Sequence, residues 1–229
     1  MLEIIATTLE DARRIEYGGA DRIELVSALA EGGLTPSYAL IKNVVQHVKL
    51  PVNVMIRPHA KSFIYTEDEI KLMTEDILIA KELKANGVVL GVLNEKNEID
   101  IASLEQLLKV CVGIDVTFHR AIDELTEPVR GIELLTTFGQ IKTVLTSGGR
   151  GNIQGNLEII RNMMEKSEQI HIMAGGGLNI TNIKEIMAQS NATDYHFGTA
   201  VRDNHSALGE IDIARIRELV SIFTDHKLQ

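Results

Sequence analysis

One cysteine, Cys111, stands in the 229 residues, so no internal disulfide framework holds this chain together. Long apolar runs are missing too: none approaches the roughly 18 residues a membrane span requires. The opening, MLEIIATTLEDARRIEYGG, carries acidic residues and arginines by position 14, where a secretory signal would run on as an unbroken apolar stretch. The expectation is a cytoplasmic protein with no membrane partner, in which the sequons at Asn179 and Asn191 are chance matches. Positive charge is also short. Lys and Arg number 23 against 32 Asp and Glu, a net −9, and they are scattered rather than striped with aromatics, which argues against a nucleic-acid partner. No CxxC, HExxH or methionine-rich tract offers metal ligands by spacing, so the residues leave any metal unknown. No lysine closes a candidate strand, which disfavours Schiff-base chemistry.

What remains is an ordinary globular mix, 45% hydrophobic and 24% charged, able to bury a large core. Short β-branched runs alternate with helical patterns from end to end. The runs are 2–6, 22–26, 52–57, 87–91, 114–119, 142–146, 170–174 and 194–198. Between them, Thr35-Pro36 reads as an N-cap with proline at the first helical position. Thr66 with Glu69 reads as a capping box opening a long helix to about Leu83. Gly18, Gly19, Gly87 and Gly139 read as helix ends that want a left-handed residue. Eight β/α units without a linker predict an α/β fold, one (β/α)8 TIM barrel over residues 1–229. A doubly wound sheet would carry a glycine fingerprint after the first strand, where this chain reads TTLEDA.

A barrel of this kind works at the carboxyl ends of its strands. Alternation decides which residues point there, because i, i+2 and i+4 of a strand share a face. Asn53 and Arg57 oppose Val52, Val54 and Ile56, while Thr117 and His119 oppose Val116 and Phe118. The apolar sets must pack on helices, so the polar sets face the interior. By the same logic Arg22, Glu24 and His196 point inward. Glu24, Arg57, His119, Arg120 and Asp123 are therefore the candidate pocket, with His119 or Glu24 able to act as acid or base. Glycine lets backbone N–H groups approach an anion closely. Ser147, Gly148, Gly176, Gly177, Gly198 and Thr199, after strands six to eight, are accordingly the candidate anion cradle. Cys111 falls before strand five, at the opposite end from the mouth, and reads as inert packing.

These segments resemble the CutC family of copper homeostasis proteins. The resemblance covers nearly the whole chain and rests on GGADRIELVSALAEGGLTPS (18–37), VMIRP (54–58), GVVLGVL (87–93), TFHRAID (117–123), VLTSGG (144–149) and MAGGGLN (173–179). It implies a cytoplasmic single-domain barrel, a homo-oligomer with a dimer as first choice, and copper handling, with copper as the implied cofactor. Carried over by position, the family's pocket residues fall on Glu24, Arg57, His119, Arg120, Asp123 and Ser147. Two departures stand out. Val26 occupies a place where members often have cysteine, and His59-Ala60-Lys61-Ser62-Phe63 replaces a usual Arg followed by Gly-Asp-Phe. Two readings follow: a copper-homeostasis protein that binds Cu(I), or a barrel enzyme acting on a small anionic or phosphorylated ligand. The scarcity of soft donors predicts weak or no specific Cu(I) binding by the chain alone.

Overall fold

Each β-branched run becomes a strand because its two faces have different neighbours to satisfy. The computed structural model describes residues 1–227, with side chains to Asp225; Leu228 and Gln229 lie outside the described residues. The strands are β1 (Leu2–Ala6), β2 (Arg22–Leu25), β3 (Val52–Met55), β4 (Gly87–Leu90), β5 (Asp115–Phe118), β6 (Ile141–Thr146), β7 (His171–Ala174) and β8 (Asp194–Phe197). The helices that follow them are α1 (Leu9–Gly18), α2 (Tyr38–His47), α3 (Glu67–Glu82), α4 (Ile101–Val110), α5 (Pro128–Leu135), α6 (Leu157–Lys166), α7 (Ile183–Ser190) and α8 (Ile213–Lys227). All strand pairs are parallel and β8 closes on β1, so the sheet is a barrel with no free edge. Among the described residues no helix is long and apolar enough to cross a membrane.

The outward residues Ile4, Ile23, Val54, Val88, Phe118, Val144 and Ile172 join helix residues such as Ile15, Val44, Ile77, Leu104 and Ile160 in one continuous core. Each such burial contributes roughly 1.5–3 kcal/mol, which makes this outer shell the main source of stability. The inward residues divide differently. Ile5, Val26, Met55 and Val89 form a small separate apolar cluster inside the barrel. Glu3, Arg22, Glu24, Asn53, Thr117, Thr143 and His196 are buried polar neighbours of that cluster or lie below it. Register makes some of them touch: Glu3 pairs with Arg22 on one side and with His196 on the other.

Two expectations need correcting. The helix after β2 is capped by Ser37, which accepts the Leu40 N–H at 3.3 Å, and not by Thr35. Thr35 is occupied elsewhere. Its hydroxyl accepts the Arg57 N–H at 2.8 Å and its own N–H donates to the Arg57 carbonyl at 3.0 Å, tying this loop to the end of β3. Of the four glycines read as left-handed helix ends, only Gly19 has that conformation, with φ +93° and its N–H on the Glu16 and Ile15 carbonyls. Before β4 the left-handed residue is Lys84, at φ 64°. Gly87 serves packing instead, since a Cβ there would stand 2.5 Å from Oδ1 of Asn53, its partner on β3.

Candidate functional site

Arg57 lies two residues past the end of β3 and His119 one residue past the end of β5, where both reach the mouth. The Arg57 guanidinium is held from the β2–α2 loop: Nη1 donates to the Glu31 and Gly33 carbonyls at 3.1 Å each. It also lies 4.8 Å from the centre of the Phe63 ring. Phe63 in turn packs on the His119 ring, with centroids 4.8 Å apart. His119 caps the turn after β5, Nδ1 accepting the Ala121 N–H at 3.2 Å. Gly91, just after β4, makes room for the ring, because a Cβ there would stand 2.6 Å from it. Burial, then the charges of Arg57 and Arg120, push the imidazole down to about 3. His119 is therefore neutral, with its proton on Nε2, and Nε2 has no protein partner.

Below the mouth lies a buried charged floor. Glu3 accepts Arg22 Nε at 2.5 Å through Oε2 and faces His196 Nδ1 at 2.8 Å through Oε1. Burial alone would raise the Glu3 carboxyl, but Arg22 and His196 together outweigh it and hold it low. The other nitrogen of His196 is 3.8 Å from Glu24 Oε2. Burial works against the charged imidazole of His196, yet Glu24 and Glu3 raise it on balance. Glu24 differs from Glu3 because it has no arginine of its own. Burial first, and repulsion from Glu3 second, push it up to about 7, and its Oε1 has no partner.

On the rim, Asp123 is a hub rather than a pocket residue. Its two oxygens accept the Thr146 hydroxyl (2.5 Å), the Ser147 N–H (3.0 Å) and hydroxyl (2.8 Å), the Gly149 N–H (3.2 Å) and Arg120 Nε (2.8 Å). The Gly148 N–H is also spent, on Thr146 Oγ1 at 2.8 Å. Ser147 and Gly148, expected in the anion cradle, thus have no N–H to offer, and neither they nor Asp123 line the cavity. Their function is to hold Arg120, whose Nη2 donates to Ser147 Oγ at 2.9 Å while the guanidinium lies against Gly176. The N–H groups of Gly176, Gly177 and Thr199 behave differently. Among the described residues none of them has an internal acceptor.

The cavity so formed is about 260 Å³. Glu24, Arg57, His119, Arg120, Gly176, Gly177, Gly198 and Thr199 line it, together with His196. Sequence reasoning missed Phe63, Leu29 and Leu178, which come from loops and complete the apolar wall. Only Phe63 carried a signal, as an aromatic residue in the loop that follows Arg57.

The donors do not suit tight Cu(I) binding. Cys111 is buried at the far end, its thiol on the Leu107 carbonyl and pushed up by burial to about 11. Val26 is buried beside Met55, so the wall here offers one thioether and no thiol. His59 is bound to Glu69 at 3.2 Å and does not line the cavity. Glu3, Glu24 and His196 do bring ligand atoms within 4.8 Å of one another. Both Glu3 oxygens are already occupied, however, and the Arg22 guanidinium supplies the positive charge an ion would bring.

The CutC family model matches residues 1–201. A human relative, named copper homeostasis protein cutC homolog, is 41% identical over 197 residues, covering 86% of this chain and 72% of its own. A CutC family protein of Glaesserella parasuis is 38% identical over 216 residues, covering 94% of this chain and 88% of its own. A CutC crystal structure from Streptococcus agalactiae superposes with TM-score 0.82 at 34% identity, over 86% of this chain and 97% of that one.

Proposed function

This chain belongs to the CutC family, and from that footing we propose that it serves copper homeostasis through a small anionic molecule bound at the barrel mouth. The role in copper homeostasis comes from the names of its relatives. The route comes from one observation in this chain: free backbone N–H groups at Gly176, Gly177 and Thr199 share a cavity with Arg57 and Arg120. Unspent N–H groups beside guanidinium groups are the donors that a phosphate or carboxylate requires. No comparable set of soft donors exists there for Cu(I). The same reading places the chain in the cytoplasm, where its single buried thiol stays reduced. It also takes the working form to be a homodimer, which light scattering after gel filtration checks.

Thermal-shift screening against inorganic phosphate, small phosphate esters and carboxylates tests the anion. A ligand at a hundred times its Kd stabilises the fold by about 2.7 kcal/mol, and Arg120→Met should reduce that shift. A flat response across such a panel would remove the anion, and tight one-to-one Cu(I) binding would restore a metal centre in its place.

A further inference from the structure

Three buried side chains that line the cavity carry an unpartnered atom, Arg57 at Nε and, in opposite senses, Glu24 and His119. Glu24 is 2% exposed and its Oε1 receives no donor; His119 is 3% exposed and its Nε2–H finds no acceptor. A buried polar group left unpaired costs roughly 1–3 kcal/mol, so two of them facing one small cavity point to a ligand that pairs both. We propose that the mouth is an enolising site, in which Glu24 moves a proton at the carbon beside a carbonyl and His119 holds the carbonyl oxygen. The substrate class is a small α-hydroxycarbonyl compound carrying a phosphate or carboxylate, its anionic end near Gly176 and Gly177. This deepens the anion reading above and rests on it.

The chemistry is complete with what the chain holds. The Glu24 carboxylate takes the proton; the C–H pair becomes a C=C bond, and the carbonyl pair moves onto oxygen, where the His119 N–H meets it. Returning the proton to the same carbon restores the substrate. Delivering it to the neighbouring carbon, with the hydroxyl proton passing to the former carbonyl oxygen, interconverts aldose and ketose. No oxidant or cofactor is consumed. A neutral imidazole suits this task because its N–H stays with the ring while charge develops on oxygen. A carboxyl raised to about 7 offers both its forms near neutral pH, which suits a group that both takes and returns a proton. The apolar wall of Ile5, Met55 and Leu145 limits water in the cavity, which strengthens both interactions.

The test uses the full chain and Glu24→Gln. Calorimetry measures binding of glycerol 3-phosphate, which has no carbonyl, and of phosphoglycolohydroxamate, which mimics an enediolate. Proton NMR in D2O follows C–H exchange on dihydroxyacetone phosphate and ribulose 5-phosphate. Expected results are glycerol 3-phosphate binding by wild type, hydroxamate binding roughly 10²-fold tighter than that or better, and loss of this hydroxamate preference in Glu24→Gln. Exchange on at least one ketose phosphate should slow by roughly 10²–10⁴-fold in Glu24→Gln. Binding of glycerol 3-phosphate without exchange or hydroxamate preference would overturn the proton transfer and leave the anion site standing. Failure of every phosphate here, and of every carboxylate in the thermal-shift panel, to bind would overturn both. If Glu24→Gln does not fold, His119→Gln replaces it, with exchange expected to slow by about 10²-fold. Wild-type exchange in either folded variant would also defeat the proposal.

Discussion

The Ala121 N–H donates to Nδ1 of His119 at 3.2 Å, and that one bond decides which ring nitrogen carries the proton. A backbone amide can only donate, so Nδ1 must present its lone pair and the hydrogen goes to Nε2. We expect nitrogen NMR to show a neutral Nε2–H imidazole for His119 throughout pH 5–8, since burial and the nearby arginines hold it at about 3. An imidazolium signal near pH 6 would contradict the site as described.

Glu24 and His119 pull stability in opposite directions with pH. Glu24 is raised to about 7, so its contribution is complete below the ordinary carboxylate range and is lost as pH rises through about 7. His119 is lowered to about 3, so its contribution is complete above the ordinary histidine range and is lost as pH falls towards 3. Glu24→Gln removes only the first dependence. Urea denaturation at pH 5 and pH 8 should show the variant gaining on wild type at the higher pH, by about 3 kcal/mol at most. A variant that loses ground to wild type as pH rises would refute the assignment.

Asp123 gathers five donors from the β6 loop and Arg120, so its loss should be costly. Asp123→Ala is expected to destabilise by about 3–5 kcal/mol, because a buried charge partner and several N–H groups are stranded at once. Asp123→Asn should cost less, as it keeps the shape and one acceptor oxygen, while its NH2 group puts a donor where the second acceptor was. Chemical denaturation distinguishes these outcomes from a merely peripheral role.

Gly91 and Gly139 make a controlled pair. An added Cβ at Gly91 would press on the His119 ring at 2.6 Å, and Gly91→Ala should cost about 1–3 kcal/mol and shift the His119 resonances. At Gly139 nothing lies within 4 Å, so Gly139→Ala should be neutral or stabilising by about 0.4–1 kcal/mol. Equal effects at the two positions would mean that the His119 ring is not packed as described.

Copper gives the sharpest division between readings. In competition with a Cu(I) chelator the chain should leave the metal with the chelator, since its only thiol is buried at the far end and raised to about 11. Stoichiometric, sub-picomolar binding that Cys111→Ser abolishes would reverse that conclusion.

Much of this was present in the chain as one-dimensional pattern. Alternation of period two in Asn53–Arg57 and Thr117–His119 determined which side chains enter the barrel, because outward positions must meet helices and only apolar residues can do so. The alternation of strands and helices likewise determined a closed barrel. Local pattern could not decide competition between residues far apart. Thr35 reads as a cap until Arg57, 22 residues on, takes its hydroxyl. Asp123, Ser147 and Gly148 read as site residues until the fold brings them together and they satisfy one another. Glu3 and Glu24 are the same residue type on adjacent strands of one barrel. Only register, which sets Glu3 between Arg22 and His196 and leaves Glu24 without an arginine partner, makes one a fixed anion and the other a group that titrates near neutrality.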